Sequence, residues 1–173
     1  MLDILVCGVP EVDDLIDEVE GVISIMNPGY TIFAPQSIAS MEAEDRYSVL
    51  RLEFDDVWQE SYQLGQEMVT PEIIYSALDF AAGVATRYGD DTGLLVHCHE
   101  GISRSSAIAI AIYINLGCDP SEAVERVTHL RPQAVPNVEV IRQTDRLLDM
   151  NGKLYDEVYN VCYQSSPNSA VSL

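Results

Sequence analysis

One stretch of this 173-residue chain gathers groups that could do chemistry: His97-Cys98-His99-Glu100-Gly101-Ile102-Ser103-Arg104-Ser105. Cys98 is followed six positions later by Arg104, and Ser105 comes next. The apolar run Leu94-Leu95-Val96 leads in and a longer one, residues 107–116, leads out. That pattern predicts a strand, a tight loop and a helix N-terminus. Such a terminus leaves backbone N–H groups unpaired and carries partial positive charge. A loop closing on it can aim successive N–H groups at the oxygens of a phosphate. Gly101 allows the unusual backbone angles this needs. Arg104 can hold two oxygens with its planar fork, which lysine cannot do. The same positive field favours thiolate over thiol, and a thiolate can attack phosphorus to form a covalent phosphocysteine.

A bare pairing of cysteine with arginine six residues on arises easily by chance. Here Cys7 meets Asp13, Cys118 meets Val124 and Cys162 meets Asn168, so only Cys98 has the arginine. A buried structural cysteine with an incidental arginine would need neither Gly101 nor the flanking serines. A metal site built on His97, His99 and Glu100 is disfavoured. Alternate strand positions face opposite ways, and no distant Cys or His cluster completes a shell.

The loop resembles the signature of the cysteine-dependent (Cys-x5-Arg) protein tyrosine and dual-specificity phosphatases, and its surroundings are most similar to their compact, bacterial-type branch. The resemblance implies that Cys98 is the nucleophile. It also implies that His99, Glu100, Gly101, Ile102, Ser103 and Arg104 cradle the phosphoryl group, and that Ser105 stabilises the departing thiolate. His97 would support the loop by hydrogen bonding, although a plain satisfied histidine explains it nearly as well. Ser105 could equally be an ordinary first-turn serine.

Such chemistry needs a proton donor, a role worth roughly 10²–10⁴-fold. The candidate lies in Leu52-Glu53-Phe54-Asp55-Asp56-Val57-Trp58, where an alternating strand over residues 49–54 ends in two aspartates and the only tryptophan. The family register favours Asp56 as the acid with Asp55 as its neighbour. A polar turn at a strand end would account for either one alone. The separation 98 − 56 = 42 residues exceeds that of compact relatives and implies an insertion over residues 59–70. A further likeness is Arg131-Pro132-Gln133-Ala134-Val135-Pro136-Asn137, similar to a family segment whose asparagine braces the loop. Asn137 is also a good helix N-cap.

The elements that must position these groups are legible from periodicity and punctuation. Strands are expected over 2–7, 22–26, 49–54 and 94–97. Helices are expected over 11–19, from Thr70-Pro71-Glu72 to Gly89, over 103–116, from Asp119-Pro120-Ser121-Glu122, over 137–150 and over 154–163. Residues 30–47 read as an irregular rim with a short helix. The fold class is α/β: a single central, mostly parallel sheet flanked by helices, with a helical C-terminal half, as in dual-specificity phosphatases. One domain over 1–163 and a loose tail over 164–173 are expected.

There are 28 acidic residues against 9 basic ones, a formal charge of −19, with Lys153 the only lysine. Nucleic acid and anionic membranes are therefore poor partners. Glu100 in the loop argues against inositol lipids and RNA 5′ ends. A phosphorylated protein or peptide is the expected substrate, acted on by a monomer with no cofactor and no metal. The start Met1-Leu2-Asp3 lacks the basic residues of a signal peptide. The longest apolar run falls short of the ~20 residues a membrane span needs. Four scattered cysteines suit a reducing cytoplasm better than a disulfide scaffold. Two rivals share the loop chemistry: a phosphoprotein-binding module with weak catalysis, and a thiol arsenate reductase. The acidity serves solubility, and a sharper reading makes it an adaptation to high salt, where the Debye length falls to ~3 Å at 1 M. That reading expects the melting temperature to rise as KCl goes from about 0.1 M to about 1 M; a flat or falling curve rejects it.

Overall fold

The computed structural model describes residues 2–45, 48–89 and 91–164. Four strands, β1 (Asp3–Gly8), β2 (Gly21–Met26), β3 (Val49–Glu53) and β4 (Gly93–Cys98), form one sheet in the order β1-β4-β2-β3. Every pairing is parallel. β2 is buried at all six positions and β4 at its last five, as expected for strands covered on both faces. β4 lies between β1 and β2, so the chain after Cys98 emerges at the middle of the sheet's C-terminal edge, where open α/β sheets place their ligands.

The helices are α1 (Val12–Leu15), α2 (Gln36–Glu44), α3 (Pro71–Tyr88), α4 (Arg104–Asn115), α5 (Pro120–Leu130), α6 (Val138–Leu147) and α7 (Lys153–Val158). Strand alternation divides the apolar side chains between two cores. Ile4, Val6, Ile23, Ile25, Leu94 and Val96 pack beneath the helical C-terminal half. Cys7, Val22, Leu95 and Val49 meet Val12, Ile16, Val19 and Ile38 on the other side. α4 is buried at every position from Arg104 to Ile114, between the sheet and helices α3, α5 and α6. A helix enclosed on all sides has no polar face to present, which explains the continuous apolar run in its sequence. Among the described residues no helix is long and apolar enough to cross a membrane.

Three expectations change. The helix expected over 11–19 breaks into a 3-10 turn (Val9–Glu11), the single turn of α1 and another 3-10 turn (Ile16–Glu18). Asp13, Asp14, Asp17 and Glu18 stand three and four apart and repel one another along a regular helix. The helix expected over 137–150 stops at Leu147. There the chain reverses through left-handed backbone at Asp149, Asn151 and Gly152. The last helix ends in a π-helical turn, Tyr159–Tyr163, whose tyrosines stack with Tyr155 in a ladder 6.1 Å apart. The irregular rim resolves into a 3-10 turn at Thr31–Phe33 followed by α2. Apart from Gln164, the expected loose tail lies outside the described residues.

α7 begins at Gly152, which has no side chain to cap it. The buried Asp145 of α6 supplies the acceptor instead. Its carboxylate takes the N–H groups of Gly152 at 2.7 Å, Leu154 at 2.9 Å and Tyr155 at 3.2 Å. Removing it leaves buried N–H donors unpaired. Asp145→Ala is expected to cost about 2–3 kcal/mol in denaturant unfolding, with Asp145→Asn intermediate.

Candidate active site

β4 delivers Cys98 to the base of a loop that runs directly into α4. The thiol is buried. Its Sγ lies 3.2 Å from the Ser105 hydroxyl and accepts the Gly101 N–H at 3.3 Å. The loop closes over the end of β1, where Gly8 pairs in register with Cys98. The contact is backbone on backbone. A Cβ on Gly101, which sits at φ +72°, would overlap the Cys7 carbonyl carbon and the Gly8 nitrogen. A Cβ on Gly8 would lie 2.9 Å from the Glu100 carbonyl carbon. Both positions therefore require glycine.

The loop's carbonyls are tied down one after another. His99 O accepts the Val9 N–H at 3.0 Å, and Ile102 O accepts the Val135 N–H at 3.0 Å. Ser103 O accepts the N–H groups of Ala107 and Asn137, both at 3.1 Å. The Arg131 guanidinium donates to Glu100 O at 3.4 Å and to Gly101 O at 3.3 Å. No cis peptide occurs among the described residues, and in a trans peptide the N–H points away from the carbonyl. Five carbonyls held outward turn the amides of residues 100–104 the other way, around the thiol. Such an arrangement has the geometry with which a nest and a helix terminus together can cradle an anion.

Arg104 is buried and donates from Nη1 to the carbonyl of Phe54 at 2.8 Å, where β3 ends. Its Nε has no partner among the described residues. A cationic donor that is buried and unpaired is costly, and an oxyanion in the cradle would satisfy it. His99 contributes its carbonyl and Glu100 its amide to this set. Their side chains, 68% and 72% exposed, lie 3.5 Å apart in solvent.

The two aspartates separate cleanly. Asp55 is occupied away from the cysteine loop: Oδ1 takes the Asn27 amide at 2.6 Å and Oδ2 takes the Glu67 N–H at 2.8 Å. Asp56 faces the cysteine loop. Its Oδ1 accepts from the Ser103 hydroxyl at 2.6 Å and the Asn137 amide at 2.8 Å, while Oδ2 accepts from no described residue. The residues between this strand end and α3 hold one 3-10 turn, Gln59–Ser61, in the stretch where an insertion was expected. Asn137 fills both roles open to it, with one adjustment. Its Oδ1 caps α6 through the N–H groups of Glu139 and Val140, both at 3.0 Å. The side chain braces Asp56 rather than the loop, and the loop is braced by Asn137's main-chain N–H. Tyr163 supports the same segment by donating to Pro136 O at 2.7 Å.

Of the two readings open to His97, its packing favours the plain buried ring. It is wholly buried, and its Nδ1 reaches only the carbonyl of the adjacent Cys98 at 3.4 Å. Nε2 has no partner among the described residues. A ring so placed fills space more than it braces the loop. Among the described residues no three His, Cys, Asp or Glu side chains cluster closely enough to hold a metal. The sequence reading missed Gly8 and Glu11 altogether and attached no role to Arg131. The groups they touch are far away along the chain, so no local spacing marks them.

No family model and no curated protein matches this sequence. Solved structures do match in fold. Human DUSP28 is 18% identical, with a TM-score of 0.61 over 86% of this chain and 92% of that one. PTPMT1, solved in complex with PI(5)P, is 18% identical with a TM-score of 0.60 over 91% and 92%. The human tyrosine phosphatase-like serine/threonine/tyrosine-interacting protein is 19% identical with a TM-score of 0.58 over 84% and 87%. The architecture is thus that of the dual-specificity phosphatase fold. Because that fold also serves a protein called phosphatase-like, the function must be argued from the site.

Burial pushes the His97 imidazolium down to about 4, helped by the nearby Arg51 and Arg104 charges. Above pH ~6.5 the ring is neutral folded or unfolded. Below it the unfolded chain takes up a proton that the folded one refuses, so stability falls as the pH drops from ~6.5 towards ~4. Compared with His97→Gln in denaturant titrations, the native protein should lose about 3 kcal/mol across that window. A constant difference would show that His97 is protonated in place.

Proposed function

We propose that this protein is a phosphomonoester hydrolase that works through a phosphocysteine at Cys98, in the manner of the Cys-x5-Arg phosphatases and with the compact build of their bacterial-type branch. The observation that carries the reading is the ring of outward-tied carbonyls, which turns successive amides onto a thiol that has Arg104 and Ser105 at its sides. The Cys98 sulfur attacks phosphorus while the amides and Arg104 hold the non-bridging oxygens. The P–O bond to the substrate breaks, and Asp56 gives its proton to the departing oxygen. In the second step water attacks phosphorus, the Asp56 carboxylate accepts its proton, and the P–S bond breaks. The Ser105 hydroxyl, already 3.2 Å from Sγ, stabilises the thiolate as it leaves. Inorganic phosphate and the starting enzyme result, with no metal or organic cofactor in any step.

The substrate we favour is phosphotyrosine on a protein or peptide, with phosphoserine and phosphothreonine as secondary substrates. The net charge of −19 opposes polyanionic partners. Four free cysteines suit a reducing cytoplasm. Two observations favour a second reading, a phosphoprotein-binding module. Glu100 sets a negative charge on the loop itself, and Asp56 Oδ1 is already engaged by Ser103 and Asn137.

Turnover of an aryl phosphate decides between them. Cys98→Ser should abolish it while phosphopeptide binding persists; residual turnover would dismiss Cys98 as nucleophile, and an inert native protein would reject the hydrolase. Asp56→Asn should slow alkyl phosphates by about 10²-fold or more and p-nitrophenyl phosphate far less, because a good leaving group needs no proton. Asp55→Asn should spare that selectivity, since both Asp55 oxygens are taken by Asn27 and Glu67.

A further inference from the structure

Two of the five loop carbonyls are held differently from the rest. Those of His99, Ile102 and Ser103 are tied by main-chain amides, whereas those of Glu100 and Gly101 depend on one side chain, Arg131. These two carbonyls belong to the peptide groups on either side of Gly101. With φ at +72° and no Cβ, Gly101 is the residue about which a peptide plane turns most freely. A turned plane would aim a carbonyl lone pair at an anion in place of an N–H.

Three nitrogens of Arg131 are engaged at once. Nε donates to Gly101 O and Nη2 to Glu100 O. Nη1 donates to the Glu11 carboxylate at 2.7 Å, a contact between residues 120 apart in sequence. The other Glu11 oxygen accepts the Gly8 N–H at 2.8 Å, and Gly8 is the β1 residue in register with Cys98. The circuit therefore runs from the end of β1 through Glu11 and Arg131 to the loop. Arg131 is 13% exposed at its side chain and Glu11 45%, so the guanidinium end is the sheltered one. Only a planar fork can serve two carbonyls and a carboxylate together.

Resting on the phosphatase reading above, we infer that Arg131 and Glu11 are positioning residues that hold the Gly101 and Ile102 amides towards the phosphoryl group. Neither touches the substrate. Arg131 acts on the loop, and Glu11 acts on Arg131. The effect belongs to the transition state, in which the equatorial oxygens carry the developing charge that aimed amides stabilise. Misaimed amides therefore lower kcat more than they raise KM.

The test uses the full chain with Arg131→Lys, Glu11→Gln and the double variant. Kinetics on p-nitrophenyl phosphate, vanadate and phosphate inhibition, thermal melting and amide ¹H–¹⁵N spectra are recorded for each. Arg131→Lys should lower kcat/KM about 10- to 100-fold, mostly through kcat. It should weaken vanadate more than phosphate and leave melting within a few degrees. Glu11→Gln should act in the same direction but less, and the double variant should be no worse than Arg131→Lys, as for two members of one chain of contacts. The Gly101 and Ile102 amide signals should shift while that of Ser103 stays. Native kcat/KM in Arg131→Lys, or losses that multiply in the double variant and follow melting, would overturn the inference. If the native protein neither turns over substrate nor binds vanadate, the phosphatase reading fails. The clamp is then judged on the amide signals alone, and it fails if Gly101 and Ile102 do not move.

Discussion

A loop can face an anion with its amides only if every carbonyl between them finds a partner on the other side. That requirement organises the centre of this protein. Residues 99–103 turn their carbonyls outward onto Val9, Arg131, Val135, Asn137 and the first turn of α4. Those partners come from the end of β1, from the α5–α6 connection and from α4 itself. Buried peptide groups left unpaired are costly, so each of these elements must sit where it does for the loop to hold its shape. Gly8 and Gly101 let the β1 end and the loop meet without side chains between them.

The same logic extends to the two aspartates. They are adjacent in sequence and both lie at the end of β3, yet their surroundings give them different work. Asp55 closes the loop that carries it by holding Glu67, and ties it to the segment after β2 through Asn27. Asp56 joins that loop to Ser103 and Asn137. Asn137 in turn caps α6, and Tyr163 steadies its neighbour Pro136. The proposed acid is therefore coupled to the helical half of the fold by hydrogen bonds, while the proposed nucleophile is fixed by the sheet. A deeply charged surface accompanies this arrangement, and each of Arg51, Arg87, Arg126, Arg131 and Arg142 has an acidic partner. Among the described residues Arg104, by contrast, meets only a carbonyl oxygen and an aromatic ring, which leaves its charge for an anion.

Much of this was legible in the residues alone. The α/β class, the four strands, the buried helix α4 and the Cys98–Arg104–Ser105 constellation depend on short-range pattern: strand period, helix period and spacing within a single loop. Where the sequence reading went astray, the decisive contacts were long-range or the local signals conflicted. The apolar spacing over 11–19 looked helical, but like charges on the same turns broke it. The α6 helix ended early where the chain reverses through left-handed backbone at Asp149, Asn151 and Gly152. His97, for which loop support and a plain buried histidine were both open, is packed as core.

The sequence by itself determined which chemical groups share one loop, because a thiol and a guanidinium six positions apart on a tight turn stay close together. Only the tertiary structure decided which of two neighbouring aspartates faces them, that Asn137 serves the acid as well as its own helix, and that Glu11 and Arg131, 120 residues apart, meet behind the loop. The physical reason is that hydrogen-bond partners several elements apart leave no periodic trace along the chain. They are chosen when the sheet order brings the ends of β1, β3 and β4 to one edge and the unpaired polar groups there find each other.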